Sequence, residues 1–382
     1  MHIKGNKLYL GNRSADSLSR AYGTPLYVYE RAIIEAQCAR LKKAFPGIAL
    51  FYAAKANGNL SLLKIIRKAG LGIEASSVGE IRLAKKAGFK KSEIIFTCPS
   101  LREDEIVFAA RNAGEMHIDS LHQLEVWGKK KLGKEVALRV NQGIGSAFHP
   151  HVVNGGPGSK FGISLADLPE AERIARKFNL RVIGLHQQIG TNVLDTDTFL
   201  TSVSALLATA ERFPDVHRIN FGGGLGIAYA PTDRVLAVEG VGKRLQKLLT
   251  RFEKDRRTPV EFALEPGRFI VADAGTLLVS AVDIKTTSAH TFVGVDSGSN
   301  HLMRPQLYGA YHPIVNASRV KGPQKKVTLA GYICESGDLF AKDRLMTMPK
   351  IGDILAIQKV GAYGFVMSSA YIAHPRPKEI IV

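Results

Sequence analysis

Hydrophobic and polar positions alternate along most of the chain in a way that predicts a barrel. From Pro25 to about Glu265, short apolar runs rich in β-branched residues alternate with stretches whose apolar residues recur at helical spacing. The runs predict eight strands: Ile48–Ala54, Gly72–Ala75, Glu93–Thr97, Glu115–Asp119, Glu135–Asn141, Arg181–His186, Arg218–Phe221 and Val260–Glu265. Helices are predicted between them, for example at Leu60–Ala69 and Val235–Phe252. Eight such units over roughly 240 residues are typical of a (β/α)8 TIM barrel.

After Arg268 the pattern changes, and strand-like runs are separated by Gly, Pro and Asp. The runs are Phe269–Lys285, Thr291–Val295, Lys326–Ile333 and Asp353–Val360. They predict a second, C-terminal β domain. We therefore expect an α/β protein with a barrel at residues 24–268 and a β domain at residues 269–382, to which residues 1–23 contribute a strand.

Composition places the chain among ordinary globular proteins. It has 382 residues, of which 45% are hydrophobic and 23% charged, and this excludes wholesale disorder and fibrous proteins. The apolar stretch Ala274–Ile284 is interrupted by Asp283 and is too short to span a membrane. Met1–Leu10 lacks the apolar core of a secretory signal. The sequence predicts a cytoplasmic protein without a membrane partner.

Charge and cysteine content narrow the partners further. The 52 Lys and Arg against 34 Asp and Glu give a net charge of +18, which would favour nucleic acid or an anionic substrate. The basic clusters, such as Lys129–Lys131, are short and lack interleaved aromatic residues. We interpret them as solvated surface and expect no nucleic-acid partner. The 3 cysteines, an odd number without close spacing, indicate neither a disulfide framework nor a zinc site and fit a reducing compartment.

Candidate chemistry gathers where the predicted strands end, which is where TIM barrels carry their functional residues. Lys55 follows the uncharged run Phe51–Ala54 at the end of the first strand. A partly desolvated lysine there could condense with a carbonyl. A lysine that simply reaches out to solvent at the rim would also fit this position.

The last two strand ends could bind a cofactor. Gly222, Gly223 and Gly224 follow strand seven, and their backbone N–H groups could approach a phosphate unhindered, although a tight turn is also possible. Glu265 and Arg268 follow strand eight and offer a carboxylate for a ring nitrogen and a cation for an anion. A surface salt bridge is the plain alternative. A lysine, a phosphate cradle and an acidic group are the three requirements of pyridoxal phosphate chemistry.

At this point the chain resembles a known family, the barrel-type pyridoxal-phosphate decarboxylases, which join an alanine-racemase-like barrel to a β domain. Within that family it is most similar to the diaminopimelate decarboxylases. The resemblance covers nearly the whole chain. It rests on seven motifs in order: Tyr52–Asn57, Ser159–Ile163, Asn220–Gly226, Glu265–Arg268, Arg304–Gly309, Cys334–Asp338 and Gly361–Gly364.

The resemblance implies roles for particular residues. Lys55 would hold pyridoxal 5'-phosphate covalently and Glu265 would bond its ring nitrogen. The resemblance implies phosphate contacts at Gly222, Gly223, Gly224, Gly267, Thr191 and Tyr363. It implies that Arg268, Arg304 and Tyr308 bind the distal carboxylate of the substrate. It also implies that the other subunit of a homodimer supplies the proton donor Cys334, together with Glu335 for the distal amino group. The implied reaction is decarboxylation of meso-2,6-diaminopimelate to L-lysine. Without the motif, Cys334 would be read as a small buried hydrophobe.

Three positions depart from the family's pattern. Gln188 stands where the family has a histidine that stacks on the cofactor, and His186 lies two residues earlier, on the same face of the strand. Glu74 replaces an aspartate at the end of strand two, and Tyr371-Ile372 stands where the family usually has Tyr-Asn. We count Glu74, His186, Gln188 and Arg268 among the cofactor-binding residues, and Tyr363 also among the substrate-binding residues. The departures leave the exact substrate open.

The segment from Gln142 to Lys160 is too long for an ordinary turn and is a candidate lid. Its two histidines, His149 and His151, could suggest a metal, but the segment offers no carboxylate or cysteine to complete a ligand set. We therefore predict no metal.

Rival functions remain at this point. One is a decarboxylase of a related carboxylated amine, such as a siderophore or polyamine precursor or an ornithine- or arginine-type substrate. Another is a non-catalytic pyridoxal-phosphate-binding regulator or carrier. A carrier would lack the β domain, and an inactive regulator should have lost Lys55 or Cys334, both of which this chain keeps.

Overall fold

The computed structural model describes residues 1–254, 256 and 259–382, and it divides the chain into two compact units. The barrel unit comprises Gln37–Ile227 and Arg234–Phe269, and the β unit comprises Met1–Ala36, Ala228–Asp233 and Ile270–Val382. Each is described by itself. In the part of the chain that the structure describes, no helix has both the length and the apolar composition needed to cross a membrane.

The barrel unit contains a closed parallel sheet, as the alternation predicts. Its eight strands, numbered one to eight in chain order, are Ala49–Ala53, Gly72–Ala75, Ile94–Thr97, Glu115–Ile118, Glu135–Asn141, Arg181–His186, Arg218–Asn220 and Glu261–Leu264. Each strand pairs in parallel with its neighbours, and strand eight closes the barrel on strand one through Ala263 and Ala49. The predicted (β/α)8 barrel is confirmed.

Helices follow the strands around the barrel. They are Leu60–Lys68, Val78–Lys86, Glu103–Asn112, Leu121–Lys129, Leu168–Lys177, Thr196–Ala210 and Val238–Lys254, with Arg31–Ala44 before strand one. Short polar residues placed just after the strands start several of them. Ser77 accepts a hydrogen bond from Glu80 N, and Ser120 accepts one from Gln123 N, so each serine satisfies an amide that the helix leaves unpaired. The helix starts and the strand ends therefore share one rim.

Shorter elements complete the barrel unit. They are the 3-10 turns Ala54–Ala56, Lys91–Glu93, Pro150–Val152 and Leu165–Asp167 and the short strands Ser146–Ala147, Ile163–Ser164 and Gly190–Thr191. Ser146–Ala147 pairs in parallel with Gly190–Thr191, and Ile163–Ser164 extends strand five. The long segment after strand five is thus tied to the barrel rim.

The β unit is built on a mixed sheet of eight strands. The strands are Leu26–Tyr29, Gly275–Thr286, Thr291–Val295, Ile314–Asn316, Gln324–Ala330, Leu339–Thr347, Ile354–Gln358 and Lys378–Ile381. Gly275–Thr286 is central, because it pairs with three other strands of the sheet. Short helices at Arg268–Val271 and Arg304–Tyr308 and 3-10 turns at Phe365–Met367 and Tyr371–Ala373 lie in the connections.

The N-terminus differs from the expectation that residues 1–23 add a strand to this sheet. His2–Lys4, Lys7–Leu10 and Arg13–Ser14 form their own antiparallel sheet, followed by the helix Ala15–Tyr22. The added strand is Leu26–Tyr29 instead. Its four residues are all buried, because it pairs with the central strand and packs in the core of the unit. Residues 24–36 accordingly belong to the β unit.

Candidate active site

Lys55 lies at the rim, in the turn that follows strand one. Its Nζ is 2.5 Å from Glu74 Oε2 and donates to Ser76 Oγ at 3.1 Å. Ser76 Oγ in turn donates to Glu74 Oε1 at 2.7 Å. The lysine side chain is 41% exposed, whereas that of Glu74 is 1% exposed. The amine is therefore accessible from solvent while a buried carboxylate fixes its position.

A second carboxyl group lies close to this pair. Glu80 Oε2 accepts a hydrogen bond from Ser76 N at 2.6 Å. Burial, reinforced by the charge of Glu74, raises the pKa of Glu80 to about 7. Two acids thus lie on the side of Lys55 that faces strand two.

Glu265 lies at the end of strand eight and is 4% exposed. Asn220 Nδ2 donates to its Oε1 at 2.9 Å, and His186 Nε2 lies 3.3 Å from the carboxylate. Burial raises the pKa of Glu265, against the opposing charges of His117, Lys55 and Arg139. A buried carboxylate of this kind has much to gain from a cationic N–H group.

The glycine loop after strand seven has space for backbone alone. Gly222 and Gly224 adopt φ values of +72° and +103°. A Cβ on Gly222 would lie 2.2 Å from Gln187 O, and one on Gly223 would lie 2.3 Å from Glu265 O. Gly267 is also confined, because a Cβ there would be 3.1 Å from the Cβ atoms of two alanines. The loop therefore lets its backbone approach a ligand without intervening side chains, while Gly222 N donates to Asn220 Oδ1 at 2.9 Å within the barrel.

Gln188 joins two loops of this rim. Its Nε2 donates to Gly190 O at 2.7 Å, and its Oε1 accepts from Gly223 N at 2.6 Å. Beside it, Arg268 Nη2 donates to Thr191 Oγ1 at 2.9 Å. The residue that replaces the family's histidine thus ties the loop after strand six to the glycine loop.

The barrel interior contains polar residues that the sequence pattern does not identify. His117 of strand four stacks on His186, with ring centroids 4.2 Å apart and planes inclined by 6°. Arg139 of strand five bonds Asp119 at 2.7 Å, and Phe161 covers the guanidinium at 4.6 Å. The available signal was a polar residue inside an otherwise apolar strand.

The segment from 142 to 160 lies at the same rim. Asn141 accepts from Gly156 N at 3.1 Å and donates to Gly156 O at 3.0 Å, which closes the segment at its base. His149 Nδ1 accepts from His151 N at 3.2 Å, so one of its ring nitrogens serves the loop itself. The lid remains a prediction.

Donor atoms of His117, His186 and Glu265 lie within 4.8 Å of one another, a spacing that could hold a metal ion. Both ring nitrogens of His117 already have partners, however. Nδ1 lies 2.6 Å from Thr97 Oγ1, and Nε2 lies 2.9 Å from Glu115 Oε1. We therefore treat the three residues as a hydrogen-bonded and stacked network.

In the β unit, Arg304 is buried in the short helix Arg304–Tyr308 and is 2% exposed. Its Nη1 lies 2.8 Å from His312 Nε2, and its guanidinium lies 4.7 Å from the Tyr229 ring centroid. Tyr308 is half-buried at the end of the same helix. This unit also holds Tyr363, which adopts a left-handed φ of +57°.

Cys334 and Glu335 lie on an exposed turn of the β unit. The buried Asp338 holds the turn, because its carboxylate accepts from Ser299 N at 2.6 Å and from Ile333 N at 2.7 Å. Glu335 accepts from Gln306 Nε2 at 2.7 Å. The charges of Glu335 and Cys334 raise the pKa of Tyr371. The thiol of Cys334, the carboxylate of Glu335 and the phenol of Tyr371 therefore lie close enough to interact.

The barrel residues fit pyridoxal phosphate by the structure's own chemistry. The exposed Lys55 amine can bond its aldehyde, the side-chain-free Gly222–Gly224 loop can accommodate its phosphate, and the buried Glu265 can pair with its ring nitrogen. His186 Nδ1 has no hydrogen-bond partner among the residues that the structure describes. A polar ligand could therefore use it.

Comparison with known proteins agrees with a pyridoxal-phosphate site in the barrel unit. Residues 31–272 match the model of the pyridoxal-binding domain of pyridoxal-dependent decarboxylases. The chain is 39% identical to a diaminopimelate decarboxylase of Methanothermobacter thermautotrophicus, covering 98% of this chain and 90% of that protein. It is 33% identical to one of Aquifex aeolicus, covering 100% of this chain and 92% of that protein.

Solved structures show the same relationship. Diaminopimelate decarboxylase of Methanocaldococcus jannaschii in complex with L-lysine is similar with a TM-score of 0.92 at 31% identity, covering 100% of this chain and 92% of that one. The likeness extends over both the barrel and the β unit, each with its own motifs in place. The chain belongs to the diaminopimelate decarboxylase family of pyridoxal-phosphate-dependent decarboxylases.

Proposed function

We propose that this protein decarboxylates meso-2,6-diaminopimelate to L-lysine and carbon dioxide with pyridoxal 5'-phosphate, as a step of lysine biosynthesis. The observation that carries the proposal is the placement, on one barrel rim, of the accessible Lys55, the buried carboxylate of Glu265 and the Gly222–Gly224 loop. When bound, the cofactor supplies an electron sink for the pair left by the departing carboxylate. A carboxylate partner for the ring nitrogen favours this chemistry over racemisation, for which a cationic partner and a weaker sink are suited.

The barrel unit would hold the cofactor. In this proposal Lys55 binds it covalently, with Glu74 orienting the amine, and Glu265 accepts the ring N–H. The phosphate would lie against Gly222, Gly223, Gly224 and Gly267, and Thr191 and Tyr363 would supply hydroxyl groups. Gln188 would support this cradle through Gly223 rather than stack on the ring.

A second group of residues would supply the proton and the substrate contacts. Cys334 would donate the proton that replaces the lost carboxylate on the α-carbon, and Glu335 would accept from the distal ammonium. Arg268, Arg304 and Tyr308 would bind the distal carboxylate, which a guanidinium fork recognises well. The exposed position of Cys334 and Glu335 supports a homodimer in which they complete the partner's site. The free cysteines also support our proposal of a cytoplasmic location.

Gln188 supports a second candidate function, because a side chain that joins two loops in place of a stacking imidazole fits a pocket of different shape. That candidate is decarboxylation of a related carboxylated amine. The test is carbon dioxide release from meso-diaminopimelate, L-lysine, L-ornithine and L-arginine at equal concentrations. We expect meso-diaminopimelate to be preferred by 10-fold or more, roughly the effect of one unpaired charged contact. Equal or faster release from ornithine would replace the first candidate by the second.

A further inference from the structure

His117 lies at a buried position in the barrel, where a polar side chain costs free energy. It lies in strand four between Met116 and Ile118, and its relative exposure is 0%. Burying an imidazole costs free energy unless its nitrogens find partners. A hydrocarbon side chain would fill the same space without that requirement. The partners of His117 therefore indicate what the residue does.

Both edges of the His117 ring are held. Nδ1 lies 2.6 Å from Thr97 Oγ1 of strand three, and Nε2 lies 2.9 Å from Glu115 Oε1. Arg218 of strand seven donates to Glu115 Oε2 at 3.2 Å and fixes that carboxylate in turn. Since two bonds on opposite edges define the plane of the ring, His117 cannot rotate without breaking one of them.

The face of His117 supports a second histidine. The two rings lie nearly parallel, with centroids 4.2 Å apart. His186 contacts Glu265 through Nε2 at 3.3 Å. Its Nδ1 has no hydrogen-bond partner within the described part of the chain. The orientation of His186 therefore depends on the stacked His117 and on Glu265 itself.

The charges around His186 also favour a role for it as a hydrogen-bond donor to Glu265. Burial, followed by the neighbouring charges of His117 and Arg139, lowers the pKa of His186 well below its usual value, so its ring is neutral. A neutral imidazole has one N–H to donate, and Nε2 is the nitrogen that faces Glu265. Glu265 receives its other hydrogen bond from Asn220 at 2.9 Å. The carboxylate is thus held by two donors, one of which depends on His117.

We propose that His117 is a positioning residue for the cofactor's ring nitrogen, acting on Glu265 both through His186 and directly from its own Nδ1, which lies 4.0 Å from Glu265 Oε1. The inference rests on the proposed function, because it takes pyridoxal phosphate as the ligand. The specific consequence is that His117 contributes to binding the ring nitrogen and not to binding the phosphate or the aldehyde. A histidine that merely filled the core would affect all three alike.

The test compares two ligands on the same protein: pyridoxal phosphate and its deaza analogue, in which a C–H group replaces the ring nitrogen. Equilibrium binding of each is measured for the full chain, for His117→Asn and for Glu265→Gln. The unmutated protein should prefer pyridoxal phosphate by roughly 10-fold or more, as expected for a charged hydrogen bond. His117→Asn and Glu265→Gln should both reduce that preference to about 3-fold or less, while the deaza analogue binds with nearly unchanged affinity.

Two further variants keep the result interpretable. His122→Asn changes an exposed histidine on the helix after strand four and should leave the preference unchanged. Glu115→Gln nearly preserves the shape of the side chain and weakens its support of His117, so it should lower the preference by about 3-fold even if His117→Asn does not fold. Equal loss of affinity for both ligands, or an unchanged preference in the folded variants, overturns the proposal. Failure of the unmutated protein to bind pyridoxal phosphate would instead overturn the proposed function.

Discussion

The barrel unit and the β unit hold their candidate residues in opposite ways. Glu74, His186 and Glu265 are each less than 5% exposed and are fixed by side chains of neighbouring strands. Cys334 and Glu335 lie exposed on a turn whose anchor, Asp338, is the buried residue. The difference indicates that the candidate cofactor-binding residues are preorganised within the barrel unit. The proposed proton donor Cys334 is instead exposed on the β unit, which motivates the proposal that it serves a second chain.

Replacement of Lys55 should have the largest effect on the barrel unit's proposed cofactor binding and on activity. Lys55→Ala removes the accessible amine, so borohydride should no longer fix the cofactor to the protein, and decarboxylation should fall on the order of 10³-fold or more. Peptide mapping after reduction locates the label. Lys64→Ala, at an exposed helix position, is the control and should keep both properties. Substantial activity in Lys55→Ala would refute the assignment.

Subunit mixing tests the β side. Lys55→Ala and Cys334→Ala should each be inactive alone, whereas a mixture that exchanges subunits should recover about a quarter of the unmutated activity. Half of the dimers would be mixed, and one of their two sites would be intact. Activity is measured after exchange has been demonstrated with differently tagged chains. If exchange occurs without recovery, each chain completes its own site.

Arg304 is the buried exception within the β unit, and its replacement should separate substrate binding from cofactor binding. Arg304→Met should lower kcat/KM for meso-diaminopimelate by about 10- to 100-fold, because a charged hydrogen bond to the distal carboxylate is lost. Pyridoxal phosphate affinity should change little, as measured by titration of the visible absorbance. Arg319→Met, which removes a partly buried arginine paired with Asp353 elsewhere in the unit, provides the comparison. A matching loss of turnover in Arg319→Met would remove the special role of Arg304.

The glycine loop should tolerate no side chain. Gly222→Ala places a Cβ 2.2 Å from Gln187 O at a φ of +72°, and such strain costs about 1 to 3 kcal/mol. We expect cofactor affinity to fall about 10-fold. Gly158→Ala, at a glycine with open space around it, should bind the cofactor normally. Unchanged affinity in Gly222→Ala would mean that the loop shifts freely and is not a preformed cradle.

The smallest expected effect concerns Glu80, the second carboxyl group near Lys55. The pKa of Glu80 is raised to about 7 in the folded protein, above its value in the unfolded chain, so the folded state holds the proton more tightly. The stability that this provides is present at low pH and is lost as the pH rises from about 4.5 to 7. Glu80→Gln should therefore flatten the fall in unfolding free energy over this range by on the order of 1 kcal/mol.

Chemical denaturation at several pH values, at a fixed cofactor concentration, checks the slope. Glu170→Gln is the control, because Arg173 lowers the pKa of that exposed acid instead. An unchanged slope in Glu80→Gln would show that another group titrates there.

Much of the barrel could be predicted from the sequence because its signals are local. The eight strands lie within one residue of their predicted ends, since each is a short apolar run bounded by polar residues. Lys55, the glycine loop and Glu265 follow those runs, and parallel strands bring their carboxyl ends to one rim. The β unit was harder. Leu339–Thr347 was missed because it contains Lys342, Asp343 and Arg344, and its pairing with Gln324–Ala330 is a non-local contact.

The sequence by itself determined the architecture, the family and the order of the motifs, because apolar periodicity and residue type specify them. Tertiary structure alone decided which polar side chains meet inside the barrel. Barrel strands are buried on both faces, so alternation does not reveal which residues point inward. The sequence pattern therefore does not identify His117, whereas the structure places its ring parallel to that of His186. Gln188 was a departure in the sequence, and its bond to Gly223 N explains its position.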